Sequence, residues 1–284
     1  MTIAEAIDSF IVDRESFCSA STVSYYKDNL YNFKSWLLLN GVSQYEQINK
    51  TVLKQYLVFL RSRECKNTSI HSYFRAIYAI MAFISREYDF PAVEHIKLPR
   101  EDPEIIVPLS AGEVDQLLAA VSGSALSTRN KLIIHLMLDC GLRSSEVRNL
   151  KFSDVSAEHI IVRNSKYNKS RVLPCPPVVH QLVTQLLPSD TVYVVSDQHG
   201  HQLSKNALKQ FFQKLKSSSG VQRVHAHLLR HTFATSYMYF YHNLEYLRLY
   251  LGHESYDVTQ MYLSLSSECL LTDFDIYKIP DCYK

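Results

Sequence analysis

The stretch His227 to Tyr262, HLLRHTFATSYMYFYHNLEYLRLYLGHESYDVTQMY, concentrates chemistry-bearing side chains in a helical frame. His227 and Arg230 stand three residues apart, one face of a helix, so an imidazole and a guanidinium can address the same anion. In Leu251-Gly252-His253 the glycine suits the left-handed residue that ends a helix, and a further donor, His253, follows directly. Nine residues later comes Tyr262. Upstream, Gly141-Leu142-Arg143-Ser144-Ser145-Glu146 sets a second arginine just after a glycine break, and Lys166 falls in a polar turn between two strand-like runs. Each feature alone has an ordinary reading. Arg143 can be a surface ion pair with Glu146, and Lys166 a solvated charge. Any one of twelve histidines can be a core or surface group, and Tyr262 can pack like Tyr237, Tyr239, Tyr241, Tyr246, Tyr250 and Tyr256.

Together and in this order, GLRSSE, the hairpin lysine, HLLRHTFAT, LGH and the following tyrosine resemble the tyrosine recombinase (phage-integrase, Xer-like) family of site-specific DNA recombinases. That resemblance implies an enzyme that cuts and rejoins DNA through a 3′-phosphotyrosine. Arg143, Lys166, His227, Arg230 and His253 would be the activating set and Tyr262 the nucleophile. The family's hairpin commonly reads glycine-lysine-glycine, whereas Ser165-Lys166-Tyr167-Asn168-Lys169 has no glycine, so Lys169 stands as an alternative to Lys166. Two arginines can clamp the non-bridging phosphate oxygens, the histidines add donors or move the phenol's proton, and the lysine protonates the leaving 5′ oxygen. The ester keeps the phosphate's energy, so a partner strand's 5′ hydroxyl can reverse the attack, and neither cofactor nor metal is expected. The alternatives are a type IB topoisomerase that relaxes DNA by the same tyrosine chemistry, and a non-catalytic DNA-binding protein of the same fold. The family plan further implies double-stranded DNA recombination sites as partner, a homotetramer on paired sites that is a monomer in solution, and a role in DNA integration for a mobile element or in recombination.

With 284 residues, 46% of them hydrophobic and 20% charged, the chain can bury one large core or two ordinary ones. The six cysteines, Cys18, Cys65, Cys140, Cys175, Cys269 and Cys282, show no CxxC or Cys/His ligand spacing, which argues against a disulfide framework or a zinc site and fits a reducing, bacterial-type cytosol. No run approaches the roughly 18 apolar residues that span a bilayer, so no membrane partner is expected. The net charge of +2 is small, but between Lys27 and Arg86 bases outnumber acids by nine to three. That imbalance suits a nucleic-acid surface as well as a solvated helix face.

The expected fold is mainly α with a small antiparallel sheet. Helical periods run over Thr2 to Glu15, Thr22 to Leu39, Thr51 to Arg63 and Ser69 to Glu87, predicting an N-terminal helical bundle over residues 1–90. In the family such a bundle is the core-binding domain. Prolines at 91, 99, 103 and 108 predict an extended linker over 91–108. The capping box Ser110 to Glu113, with Leu109 and Val114 as a hydrophobic staple, then opens a catalytic domain over 109–284. Within it, Thr128 is the expected cap of a helix that ends at Gly141. Strands are expected at His159 to Arg163, Ser170 to Pro174 and Thr191 to Val195, and Ser204 caps a further helix. Leu270, Leu271, Phe274 and Tyr277 recur at helical spacing in the tail, about 268–284, which in the family reaches into a neighbouring protomer. The first helix begins almost at once, leaving no room for an additional arm-site DNA-binding domain.

Overall fold

The computed structural model describes residues 1–101, 106–123, 126–163, 170–187, 191–252, 262 and 275–283. The chain divides into two compact units, Met1–Glu104 and Ile105–Lys284. The expectation of a mainly helical protein with a small antiparallel sheet is borne out.

The first unit holds helices α1 (Ile3–Phe17), α2 (Ala20–Leu39), α3 (Lys50–Ser62) and α4 (Asn67–Tyr88). Their starts are set by short polar caps. Thr2 and Glu5 form a reciprocal box, the Ser19 hydroxyl accepts from the Thr22 amide, and the Asn49 carboxamide accepts from Thr51 and Val52. Thr22 and Thr51 therefore lie inside their helices rather than at the ends. The apolar faces meet in one core that includes Phe10, Leu30, Leu37, Leu53, Tyr56, Ile70, Phe74 and Ile77. Phe10 meets Tyr26 edge-on at 5.0 Å, the arrangement that ring quadrupoles favour. The proline-containing segment after α4 has no regular structure, yet it is fastened to this core. Asn67 donates to the Arg100 carbonyl at 2.8 Å, the Ile96 amide donates to the Tyr78 hydroxyl at 3.0 Å, and His95 stacks on Tyr78.

The second unit comprises α5 (Ala111–Val121), α6 (Ser127–Leu138), α7 (Ser144–Asn149), strands β1 (His159–Val162) and β2 (Arg171–Pro174), then α8 (Pro177–Gln185), α9 (Lys205–Ser219), α10 (Ala226–Tyr241) and α11 (Leu244–Leu251). The strands pair antiparallel, with His159 opposite Pro174 and Val162 opposite Arg171. From Leu132 to Leu138 every residue of α6 is buried, and α10 packs along it buried from Leu228 to Met238. These two helices are the spine of the unit. Its entrance is tied down by Arg223, which donates to both Glu113 carboxylate oxygens and to the Val107 and Pro108 carbonyls.

Three expectations need correction. Helix α6 starts at Ser127, one residue before Thr128, with Leu126 at the cap position and no side-chain cap bond. Thr191 to Val195 does not form a third strand among the described residues. Its amides and carbonyls pair around Leu150 and Phe152, where the partner chain turns into the one-turn helix Phe152–Asp154 and the ladder cannot propagate. In the tail, Tyr277 is not helical. Ile276 bridges to Ser110 and the Ala111 amide donates to the Asp275 carbonyl at 3.0 Å, so the backbone is spent on the entrance to α5 instead. Leu270, Leu271 and Phe274 lie outside the described residues.

Phe74 is fully buried where α4 meets the rest of its core. Phe74→Ala is expected to cost about 3–5 kcal/mol, seen as a lower urea midpoint for the full chain by circular dichroism.

Candidate active site

Helix α11 begins at Asn243, whose side chain accepts from the Tyr246 amide at 3.0 Å, and ends at Gly252 in the left-handed region at φ +61°. The last carbonyls of a helix lack intrahelical partners and carry its negative dipole end. Here three consecutive ones are each taken by a different arginine. Arg171 Nε donates to the Tyr250 carbonyl at 2.6 Å, Arg230 Nη2 to Leu251 at 2.7 Å, and Arg143 Nη2 to Gly252 at 3.2 Å. Those arginines come from β2, from α10 and from the residue before α7.

The same three guanidiniums surround the buried carboxylate of Glu146. Arg171 meets it fork to fork, Nη1 on Oε1 and Nη2 on Oε2, both at 2.8 Å. Arg143 Nη1 approaches Oε1 at 3.0 Å, and the Arg143 amide donates to Oε2 at 2.8 Å. Arg230 Nη1 lies 3.8 Å from Oε2 and donates to the Gly141 carbonyl at 2.6 Å. Burial alone raises the Glu146 pKa, but the bonds and charge of Arg171, then those of Arg143, bring it down to about 2. The pair's stabilisation is therefore present above the ordinary carboxyl pKa and is lost as pH falls toward 2. Arg230 is pushed down to about 9 by burial first and then by Arg143, which leaves it charged at neutral pH. Arg143 keeps 38% of its side chain accessible against 4% for Arg230, so it is the guanidinium with donors open to an incoming anion.

His227, in the first turn of α10, is exposed. The protein packed around its ring, and next the charge of Arg230, hold its pKa below the usual imidazole value. His231, one turn on, is buried. Its Nε2 pairs with the Ile106 carbonyl at 2.8 Å, and burial lowers its pKa to about 4, so the ring is neutral with Nε2 as the donor. The Tyr262 ring lies 5.0 Å from it, centroid to centroid. Tyr262 is only 3% exposed, in a cluster with Phe233, Tyr237, Leu247, Leu251, Ile279 and Tyr283. Burial raises its pKa, while Arg230 and Arg143 pull it back. No group of three or more His, Cys, Asp or Glu is placed to hold a metal, and no helix is long and apolar enough to cross a membrane, both among the described residues.

Of the residues singled out from sequence, Arg143, His227, Arg230 and Tyr262 share one electrostatic neighbourhood. Lys166, Lys169 and His253 lie outside the described residues. Arg171 and His231 were not singled out. A signal for Arg171 exists, since strand alternation sets it on the side of buried Leu173 while Val172 points outward, and an inward arginine requires a buried partner.

Residues 108–268 match the phage integrase family. Tyrosine recombinase XerD of Oceanobacillus iheyensis is 26% identical over 277 residues, covering 91% of this chain and 92% of that protein. Among solved structures, the XerH site-specific recombinase bound to palindromic difH substrate superposes with a TM-score of 0.73 at 21% identity, over 90% of this chain and 79% of that one. The Tn1549 transposon integrase in complex with circular intermediate DNA gives 0.75 at 18% identity, over 92% and 95%.

The carbonyl that receives Arg230 belongs to Gly141, held at φ +62°, where an added Cβ would lie 2.5 Å from the Phe233 ring. Gly141→Ala is expected to lower stability by at least about 2 kcal/mol, from left-handed strain plus overpacking, as measured by urea unfolding.

Proposed function

The chain belongs to the phage integrase family and is a site-specific tyrosine recombinase, a DNA strand-transferring enzyme, and on that premise we propose that Arg143, Lys166, His227, Arg230, His253 and Tyr262 carry out its cleavage step. The observation that carries this reading is the delivery of Arg143 and Arg230, from elements 87 residues apart (230 minus 143), onto neighbouring carbonyls beside Tyr262. Two guanidiniums would neutralise the non-bridging oxygens as Tyr262 attacks the phosphorus. His227, kept largely neutral near pH 7, can accept the phenolic proton or donate to the phosphate. Lys166 would protonate the leaving 5′ oxygen, and His253 would add a donor beside Gly252. The product is a 3′-phosphotyrosine that a partner strand's 5′ hydroxyl can resolve.

Tyr262 and Arg230 are both covered, so DNA would have to open the site to reach them. Ile279 and Tyr283 share the Tyr262 cluster, which ties that opening to displacement of the tail. A tail so released could dock on a neighbouring copy, in keeping with a homotetramer on paired recombination sites. The first unit, with its basic middle, would be the core-binding domain over residues 1–90, followed by a linker over 91–108 and a catalytic domain over 109–284. The scattered cysteines agree with a cytoplasmic enzyme, and integration of a mobile element and chromosomal recombination are both tasks for this chemistry. The relatives are named recombinases, which favours strand exchange over relaxation.

Tyr262→Phe is expected to abolish covalent DNA attachment and leave DNA binding within about a few-fold, because only the nucleophilic oxygen is lost. A denaturing gel of labelled DNA reads the adduct, and its persistence would remove Tyr262 from the mechanism. Lys166→Ala is expected to fail on ordinary DNA and to recover cleavage where sulfur replaces the 5′ bridging oxygen, since that leaving group needs no proton. Rescue of Lys169→Ala instead would move the general acid by three residues.

A further inference from the structure

Arg171 has a different set of partners from the two arginines of the proposed clamp. All three of its guanidinium nitrogens are engaged at 2.6–2.8 Å, with the Tyr250 carbonyl and both Glu146 oxygens. Only 13% of its side chain is accessible. Arg143 gives one nitrogen to the Gly252 carbonyl and another to Glu146, whereas Arg230 donates to the Leu251 and Gly141 carbonyls and stays 3.8 Å from the carboxylate. Arg171 alone grips both anchoring elements with a planar fork. The helix end is also fitted closely to it, because a Cβ at Gly252 would lie 3.1 Å from Arg171 Nη1.

We propose that Arg171 is a positioning residue for DNA cleavage, locking the Glu146 carboxylate to the end of α11 and thereby setting the pose in which Arg143 is presented. The inference rests on the reading that Arg143 and Arg230 clamp the scissile phosphate. Its physical content is rigidity. A carboxylate held by two parallel charge-assisted bonds cannot rotate, so Arg143, which leans on Oε1 and on the Gly252 carbonyl, has one available pose. Lysine at 171 would keep the charge, but one ammonium cannot span two carboxylate oxygens and a carbonyl in that fixed plane. Among the described residues the charged groups facing Glu146 are Arg143 at the cap of its own helix, Arg171 from β2 and Arg230 from α10. Without Arg171 the strongest attractive partner is gone, and the carboxyl pKa moves from about 2 toward the ordinary range. Protonation of Glu146 then loosens Arg143 at mildly acidic pH.

The test uses the full chain and a nicked duplex carrying a site recovered by sequencing DNA covalently trapped on the protein. Single-turnover formation of the covalent complex at saturating protein is followed from about pH 3.5 to 8, a range bracketing the ordinary carboxyl and imidazole values, with DNA affinity and melting temperature measured alongside. Arg171→Lys is expected to slow covalent attachment by about 10²-fold with affinity nearly unchanged, the cost of misplacing an otherwise intact clamp. Arg171→Ala is expected to add a loss of rate as pH falls toward the ordinary carboxyl range, a limb absent from the parent and removed when Glu146→Gln is combined with it. The limb is judged against the parent because His227 titrates in both. Should Arg171→Ala not fold, the Lys variant carries the test by its rate. Unchanged attachment by Arg171→Lys, or a fall no larger than the loss of folded protein, would overturn the proposal. Arg143→Ala and Tyr262→Phe are run in parallel. If they still attach to DNA the active-site reading fails, whereas if they are dead and Arg171→Lys is normal only the role of Arg171 fails.

Discussion

The second unit is organised around a shared counter-charge. Three guanidiniums from distant parts of the chain meet one carboxylate, Glu146, and the last three carbonyls of α11. Burying charge is costly unless it is paired and hydrogen-bonded, and this arrangement meets the condition from both sides. Glu146 neutralises one arginine's worth of charge, and the helix end contributes roughly another half. Among the described residues this leaves the cluster net positive, and Arg143 is the most accessible of its three guanidiniums, where the proposed phosphodiester would add the missing charge.

That cluster can exist only because backbone carbonyls are brought to the right places. Helix α6, buried from Leu132 onward, delivers the chain to Gly141, whose left-handed conformation lets its carbonyl reach Arg230 while the Phe233 ring closes over its Cα. Helix α10 holds both Arg230 and Phe233, so the side chain that needs the carbonyl and the ring that excludes a Cβ sit on one rigid element. The Arg143 amide binds the same Glu146 carboxylate as its guanidinium, which welds the start of α7 to the cluster. The nucleophile candidate is placed by apolar contact rather than by polar bonds. Tyr262 lies in an aromatic and aliphatic cluster with the end of the tail, and that cluster raises its pKa by keeping water away.

Much of the helical framework was legible because its signals are local. A capping box such as Thr2 to Glu5 or Ser110 to Glu113 depends on four consecutive residues, and the structure contains both. Gly252 at the end of α11 is legible for the same reason. Reading was poorer where a segment's partner is remote. Thr191 to Val195 has strand composition, but its partner at Leu150 to Phe152 bends into a helical turn. Tyr277 has helical spacing in the tail, yet its neighbours pair with Ser110 and Ala111, and its hydroxyl donates to the buried Asp139 at 2.8 Å.

The sequence by itself determined which side chains are candidates for the chemistry: the arginines after Gly141 and in HLLR, the histidines, and a tyrosine spaced from LGH. Spacing along one helix or beside one glycine defines such features, and no long-range information is needed. Only the tertiary structure decided that Arg171 joins the arginines, that Glu146 serves all three, and that Tyr262 is covered. The physical reason is that a buried ion pair is a contract between surfaces rather than a pattern in a segment. Arg171 and Glu146 are 25 residues apart, and only the pairing of β2 with β1 and its packing against the end of α11 brings their charges within 2.8 Å.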